Sequence, residues 1–473
     1  MNRWMIAAAG TLLQLCLGTV YAWSIFQKDL VKTYGWSETE AVITFSLAIG
    51  FLGATAAWGG VKLKKYGPRK LAVTGGVLFG LGFLVAGAAL LWLAKPVEEG
   101  FARTAGLFGH QTLPLLLLYL GYGVIGGIGL GLGYVTPVAT VAKWFPDRKG
   151  LVTGMVVMGF GFGAVLMSLV LKDAVYERVG ESYGYMFLIF GGLFLLITPL
   201  VASVLRNPPD GWLPAGYTPP TGAAGTGGKD LEHQSGRCVA SVRFGMMWLV
   251  FFCNIFAGIA ILSMQSPLVQ DLFRKLAPYV EMAEGPEKIK DLAKLGALLV
   301  AISSLFNGVG RFFWGGLSDR IGRTRAFRLM LVTQIAAFVG LIFVQNPYAF
   351  GALVCYILLC YGGGFGTMPS YVLDVFGAKK MAVVYGVVLT AWAAAGIIGP
   401  TVFGMIRDAN MANPDHARAV AFTLAAATLG LGLLISLLLS DKAFRCGKPC
   451  LKTCDAACKQ AAVISETVPP RER

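Results

Sequence analysis

The sequence predicts an all-α membrane protein whose twelve transmembrane helices form two bundles of six. Of its 473 residues, 56% are hydrophobic and only 14% are charged, whereas about a quarter of the residues in an ordinary soluble domain carry charge. Uncharged stretches of about 20 residues, the length that crosses a bilayer core of about 30 Å, recur along the whole chain. A polar connection after the sixth stretch divides them into two sets. This composition argues against a soluble enzyme.

The first set of stretches defines an amino-terminal bundle over residues 1–205. The first of them lacks the small-residue cleavage site of a signal peptide, so we expect it to remain in the protein. The predicted spans are Trp4–Phe26, Ala41–Val61, Leu71–Ala94, Leu113–Ala142, Leu151–Leu171 and Ser182–Leu205.

The second set defines a carboxyl-terminal bundle over residues 244–440, after a linker at 206–243 that is rich in Pro, Gly and Thr and is typical of a flexible tether. Asn346-Pro347 splits one long apolar run into two spans. The predicted spans are Phe244–Gln270, Leu295–Ser318, Leu329–Gln345, Tyr348–Leu373, Met381–Ile406 and Ala419–Ser440. Residues 441–473 form a tail.

The basic residues indicate how the chain is oriented in its membrane. A net charge of +15 is compatible with nucleic acid binding, but the Lys and Arg residues lie in the short segments between spans. Of the 40, 26 fall on the side that carries both termini, 13 fall on the other side and one lies inside a span. The positive-inside rule therefore predicts cytoplasmic termini, with lipid rather than nucleic acid around the protein.

Two pairs of segments indicate an internal repeat of six helices. Trp58-Gly59-Gly60 and the basic segment Lys64–Lys70 correspond to Trp314-Gly315-Gly316 and the charged segment Asp319–Arg325. Gly131–Pro137 similarly corresponds to Gly364–Pro369. Such duplication is typical of transporters built from two related bundles, with the substrate site between them.

Arg311 is the most informative residue, because it lies eight positions before Asp319 and therefore about 12 Å inside the eighth span. A guanidinium at that depth costs on the order of 3 kcal/mol and cannot escape the cost by losing its proton. None of the other predicted spans contains Asp or Glu. We therefore predict that Arg311 binds a substrate carboxylate; the alternatives are water, backbone carbonyls or an acidic residue beyond the predicted boundaries.

Further polar residues are candidates for the same site. Ser304 and Asn307 share a helix face with Arg311, because the spacings are three and four. Other side chains that can hydrogen-bond or stack in an apolar cavity lie in four other spans. They are Gln14, Tyr21, Tyr134, Tyr361 and Trp392. Each alone is also compatible with a simple packing role.

The segment from Gly315 to Arg323 resembles the cytoplasmic loop signature of the major facilitator superfamily. In that signature an Asp and basic residues hold neighbouring helix ends together, which implies a latch formed by Gly315, Asp319, Arg320, Gly322 and Arg323. The first-half copy departs from the pattern, because Lys64 stands at the acidic position. Positive-inside loops without any latch are the alternative.

Four segments are more closely similar to the oxalate/formate antiporter family, which is related to monocarboxylate transporters. They are Asn2–Trp4, Gln14–Trp23, Lys143–Gly150 and Asn307–Arg311. The resemblance implies alternating access, carboxylate binding by Arg311 on helix eight and a substrate-facing tyrosine at Tyr134. The resemblance also implies a location in the cell (inner) membrane, and we expect a monomeric functional unit.

Two departures from these families affect the expected substrate and its coupling to protons. The family's oxalate exchanger has a Lys midway along helix eleven where this chain has Trp392, so a monocarboxylate such as lactate or formate is the better electrostatic match than a dianion. Proton-coupled relatives have an Asp where this chain has Asn307. Three transport modes stay open: exchange, facilitated transport and symport of a protonated substrate. Two other functions stay open as well, an oxalate-type exchanger and a transporter-like membrane sensor.

No enzyme or cofactor site is predicted. The spans contain no buried acid, His or nucleophile pair, and no phosphate-binding loop occurs. In the tail, four cysteines repeat every four residues, at Cys446, Cys450, Cys454 and Cys458, which is not the spacing of standard zinc sites. His110, His233 and His416 are far apart in sequence. We therefore expect neither a metal nor a cofactor, and a reduced basic tail.

Overall fold

The computed structural model describes residues 2–97, 111–146, 149–171, 175–180, 182–209, 212–214, 236–283, 285–377 and 380–441. These residues contain twelve helices that are long and apolar enough to cross a membrane, which confirms the predicted fold class. They are α1 (Arg3–Ala22), α2 (Glu38–Tyr66), α3 (Pro68–Trp92), α4 (Thr112–Trp144), α5 (Val152–Leu169), α6 (Tyr183–Ala202), α7 (Val242–Arg274), α8 (Glu287–Ile321), α9 (Arg323–Phe343), α10 (Pro347–Phe376), α11 (Val383–Ala409) and α12 (Pro414–Leu437).

Several helices extend past the predicted spans, because their end turns carry charged residues that an uncharged stretch excludes. At the start of α2, the Ser37 hydroxyl accepts a hydrogen bond from the Glu40 amide at 3.1 Å, and the Glu40 carboxylate accepts one from the Ser37 amide at 2.7 Å. This reciprocal cap satisfies two amides that would otherwise lack partners. The helix therefore begins at Glu38, three residues before the predicted span.

Two pairs of helices join the bundles. Helix α2 packs on α11, and α5 packs on α8, while α3 with α6 and α9 with α12 form the outer parts of each bundle. A Cβ atom on Gly161 of α5 would lie 2.7 Å from the Gly308 Cα of α8, and one on Gly53 of α2 would lie 2.7 Å from the Leu389 carbonyl oxygen. Glycine thus permits backbone contact between the bundles in the middle of the molecule.

Helix α1 is not regular along its whole length. Its α-helical part, Arg3–Leu17, passes into a tighter 3₁₀ turn at Gly18–Ala22, and a separate helix, Ser24–Tyr34, follows. At the change, a Cβ atom on Gly18 would collide with the Phe160 carbonyl oxygen of α5. This close approach of α1 to α5 places Tyr21 beside the residues of α5 and α10.

Because consecutive spans alternate in direction, α1 starts and α12 ends on one side, here called the termini face. The other side is called the opposite face. Most of the predicted linker and all four tail cysteines, Cys446, Cys450, Cys454 and Cys458, lie outside the described residues, as do His110 and His233. The domain boundaries at 205, 243 and 440 therefore stay a prediction.

Candidate functional site

Arg311 lies in the middle of α8 and is 1% exposed. Its Nη1 atom donates to the Val157 carbonyl oxygen of α5 at 2.9 Å, whereas Nε and Nη2 have no hydrogen-bond partner among the described residues. Among the described residues, no Asp or Glu forms an ion pair with the guanidinium. The positive charge is therefore buried without a neutralising group of the protein, a costly arrangement that is typical of a functional site.

Six aromatic side chains surround Arg311 and are here called the aromatic cage. The Arg311 Cζ atom is 5.0 Å from the ring centre of Phe365 and 5.8 Å from that of Phe160, so the cation lies over two aromatic faces. The Trp392 ring centre is 4.7 Å from that of Phe365 and 5.2 Å from that of Tyr134. The cage consists of Tyr21, Tyr134, Phe160, Tyr361, Phe365 and Trp392.

The cage also carries polar atoms. The hydroxyls of Tyr21 and Tyr361 share a hydrogen bond of 2.8 Å that joins α1 of the first bundle to α10 of the second. Within the described part of the chain, the Tyr134 hydroxyl and Trp392 Nε1 are buried without hydrogen-bond partners, and so is the hydroxyl of Tyr385, which lies beside Tyr134. A cation surrounded by hydroxyl and indole donors within apolar walls is complementary to a small carboxylate.

Other predicted site residues lie beside the cage in supporting positions. Gln14 donates from Nε2 to the Tyr134 backbone carbonyl at 2.9 Å, which holds α1 against α4. Asn307 lies at the contact of α8 with α10, where a Cβ atom on Gly362 would be 2.8 Å from its Oδ1. Both amide atoms of Asn307 lack hydrogen-bond partners, whereas Ser304, one turn away, is buried on the same helix face.

The predicted latch residues meet at the termini face, inside the second bundle. Arg323 pairs through Nη2 with Asp319 at 2.5 Å and through Nε with Asp374 of α10 at 3.0 Å. Gly322 has a φ of 92°, which only glycine adopts without strain, and it forms the turn from α8 into α9. Gly315 lies against α10, and Arg320 is exposed. These contacts tie α8, α9 and α10 together rather than the two bundles.

The bundles are instead joined at the opposite face by four charges, here called the four-charge lock. Asp271 of α7 pairs with Lys28 of the first bundle at 3.1 Å and with Arg407 of α11 at 2.7 Å. Arg407 Nε in turn lies 3.5 Å from the Glu38 carboxylate of α2. Two residues of each bundle therefore alternate in sign across the interface.

A helix cap reinforces the four-charge lock. The Asp408 carboxylate of α11 accepts hydrogen bonds from the backbone amides of Glu38 at 3.1 Å and Thr39 at 2.8 Å, as well as from the Thr39 hydroxyl. An acidic side chain at a helix amino terminus is favoured by the helix dipole. The start of α2 is thus held by the end of α11.

Sequence reasoning missed the cage residues Phe160 and Phe365 and the neighbouring Tyr385, and it did not anticipate the four-charge lock. No sequence signal distinguishes a cage phenylalanine from one in the apolar core, since both are buried in membrane-spanning helices. The charged residues of the lock lie at the ends of spans, where a sequence analysis interprets charges as signals of membrane topology. Tyr385, a polar aromatic residue seven positions before Trp392, was the one that could have been found.

Comparisons with known proteins agree with the fold and with the resemblances. The chain is 27% identical over 409 residues to the oxalate:formate antiporter of Oxalobacter formigenes, covering 84% of this chain and 83% of that protein. It is 22% identical to human monocarboxylate transporter 14, covering 86% and 85%. A bacterial homologue of the lysosomal transporter Spinster, solved facing inward, superposes with a TM-score of 0.61 at 16% identity, covering 92% of this chain and 96% of that one.

Both predicted resemblances, to the oxalate/formate antiporter and to monocarboxylate transporters, are thereby confirmed. The model of the Major Facilitator Superfamily matches residues 7–400. The chain therefore belongs to the major facilitator superfamily of multi-pass membrane transporters, and it is not an enzyme.

Proposed function

We propose that this transporter carries small organic monoanions, monocarboxylates such as lactate or formate, by alternating access with Arg311 as the carboxylate anchor. The single observation that supports it is the buried guanidinium, whose Nε and Nη2 have no partner in the described protein. A carboxylate oxygen pair matches the donor geometry of a guanidinium. Tyr134 and Trp392 supply further donors, while Tyr21 and Tyr361 become available when their mutual bond breaks.

The number of cations favours a monoanion. In the described part of the chain, the Lys and Arg residues that are buried are Lys288, Arg311 and Arg418, and the first and last lie near helix ends at the opposite face. Trp392 occupies the α11 position at which the family's oxalate exchanger has its second cation. A dianion at Arg311 would keep one negative charge unpaired in a low dielectric, which is costly.

The relatives support an organic anion but differ in its charge. The Oxalobacter formigenes protein exchanges oxalate for formate by name, and the human relative is a monocarboxylate transporter by name. Dicarboxylate exchange is therefore the second candidate, favoured by the higher identity to the antiporter. A membrane sensor would depend on the Cys-rich tail, which lies outside the described residues.

The transport cycle depends on two contacts between the bundles, the four-charge lock and the Tyr21–Tyr361 hydrogen bond. We place the termini in the cytoplasm of a cell (inner) membrane, since 26 of the 40 basic residues lie on that side, so the four-charge lock closes the external face. Opening outward requires the lock to separate, and the Tyr21–Tyr361 bond then parts as well. Because no Asp or Glu lies in the cage among the described residues, we favour exchange, or movement of a proton on the substrate itself.

The test is counterflow of labelled lactate, formate and oxalate into proteoliposomes, comparing the native chain with Arg311→Gln. We expect counterflow of a monocarboxylate, and a loss of roughly 10- to 100-fold in the variant, since one charge-assisted hydrogen bond contributes about 1.5–3 kcal/mol. Lys294→Gln, which removes an equal charge at an exposed site, is the matched control.

Each outcome decides between the candidates. Stronger counterflow of oxalate than of either monoanion would replace the monocarboxylate proposal with dicarboxylate exchange. Unchanged counterflow in the Arg311→Gln variant would refute the role of Arg311 as the carboxylate anchor. Thermal unfolding of both proteins shows whether the variant is folded. Binding of a carboxylate without any counterflow would favour the sensor.

A further inference from the structure

A pocket that is partly open to solvent lies away from the cage, inside the second bundle at the opposite face. It is bounded by the end of α7, the end of α11 and the first turns of α12. Its apolar wall includes Leu268, Leu272, Phe403 and Phe422, and its charged residues are Asp271, Lys275, Arg407, Asp415 and Arg418. Three cations and two anions line it, so the lining carries one excess positive charge.

Arg418 is the most unusual residue of this pocket, because it is 5% exposed although it lies near the start of α12. Its Nη2 atom pairs with Asp415 at 3.3 Å, but Nε is buried and no residue that the structure describes accepts a hydrogen bond from it. Asp415 is shared, since Lys275 Nζ lies 3.0 Å from its other oxygen. The guanidinium is therefore only partly neutralised.

Arg407 provides a second unsatisfied donor in the same pocket. Its Nη2 and Nε atoms bind Asp271 and Glu38 in the four-charge lock, whereas Nη1 is buried and has no hydrogen-bond partner in the described ranges. A buried donor without a partner costs about 1–3 kcal/mol, and more for a charged group. Two guanidiniums that line one pocket with an apolar wall thus each keep an N–H group that no described residue accepts.

We propose that this pocket is a second, external binding site for a small carboxylate, held by Arg407 and Arg418 with its apolar body against Phe403 and Leu268. The class of ligand and the external sidedness rest on the proposed function. A carboxylate on Arg407 competes with Glu38 for the same guanidinium. Arrival of substrate therefore weakens the contact between the second bundle and α2, and the site favours opening toward the side from which the anion came.

The first experiment separates this site from the cage by using the full-length protein with Arg311→Gln. Saturation-transfer NMR detects weak binding of lactate through its methyl signal. We expect a low-affinity saturable signal in the Arg311→Gln protein, about tenfold weaker binding when Arg418→Gln is added, and no change when Lys294→Gln is added instead. No binding in the Arg311→Gln protein, or binding that Arg418→Gln leaves unchanged, would overturn the proposal.

The second experiment measures sidedness in right-side-out and inside-out vesicles. Arg418→Gln raises the external lactate concentration for half-maximal exchange about tenfold and leaves the internal one unchanged. Asp415→Asn frees Arg418 and Lys275, so it lowers the external value severalfold, a gain that misfolding cannot produce. Equal shifts on both sides, or a rise with Asp415→Asn, would assign these residues a structural role only.

The two proposals fail in distinguishable ways. If Arg311→Gln leaves counterflow intact, the anchor at the cage is wrong, but the external kinetics of Arg418→Gln and Asp415→Asn still decide the pocket. If Arg311→Gln abolishes counterflow while neither pocket variant shifts the external constant, the cage proposal stands and the second site is refuted.

Discussion

Arg311 and Arg407 are both arginines of the second bundle that contact the first bundle, yet their partners differ completely. Arg407 has two carboxylates, Asp271 and Glu38, at 2.7 and 3.5 Å. Arg311 has one backbone carbonyl and two aromatic faces. The two carboxylates on Arg407 hold two parts of the protein together and leave only Nη1 for a ligand, whereas Arg311 has no counter-charge and its guanidinium is suited to a ligand that comes and goes.

The largest difference is expected when Lys replaces each arginine. Arg311→Lys keeps the charge but removes the planar fork that a carboxylate and the Val157 carbonyl share, so counterflow falls by roughly 30-fold, within the loss expected for Arg311→Gln. Arg407→Lys can still pair with Asp271, and we expect a loss of only a few-fold. Counterflow in proteoliposomes checks both, and equal losses would contradict the assigned difference between the two sites.

A second cation in the cage is the next largest change. Trp392→Lys places an ammonium near Arg311, so the ratio of oxalate to lactate counterflow rises about tenfold or more, because a dianion then neutralises both charges. Trp392→Phe, which alters size without charge, is the control. A ratio that rises equally in the two variants would show that cavity shape, and not charge, sets the selectivity.

A smaller effect is expected from opening the four-charge lock. Asp271→Asn removes the partner of both Lys28 and Arg407, so the population open at the opposite face increases severalfold, as about 1 kcal/mol of differential stabilisation requires. Electron-electron distances between spin labels at Lys32 and Met411, in a background without native cysteines, report the opening. If the Asp271→Asn protein gave the same distance distribution as the spin-labelled protein with native Asp271, a gating role of the four-charge lock would be excluded.

The smallest effect is expected at the termini face. Asp319 is 66% exposed on its side chain, and Arg323 keeps Asp374 when Asp319→Asn is made. Exposed ion pairs contribute about 0–1 kcal/mol, so the midpoint of thermal unfolding should fall by no more than a few degrees. The double change with Asp374→Asn should cost more than the sum of the two single changes, since Arg323 then loses both carboxylates.

The sequence was sufficient to predict the twelve spans and the unusual position of Arg311, because both follow from the cost of charge in a bilayer. Span ends were less predictable, as at Ser37–Glu40, where a cap extends α2 beyond the uncharged stretch. The cage could be predicted only in part, since Tyr21, Tyr134 and Trp392 are polar aromatics, but Phe160 and Phe365 have no distinguishing property. The four-charge lock depends on which helix ends meet, and that requires tertiary structure.

The contact of Gly161 with Gly308 has a consequence for the amplitude of any rocking motion. Gly308 lies 21 residues from the start of α8 and 13 residues from its end, so it divides the helix into arms of about 32 and 20 Å. A rotation of about 10° about the Gly161–Gly308 contact would move the end of α8 at the opposite face by about 6 Å and its end at the termini face by about 3 Å. The same rotation therefore opens the transport path more widely at the opposite face than at the termini face.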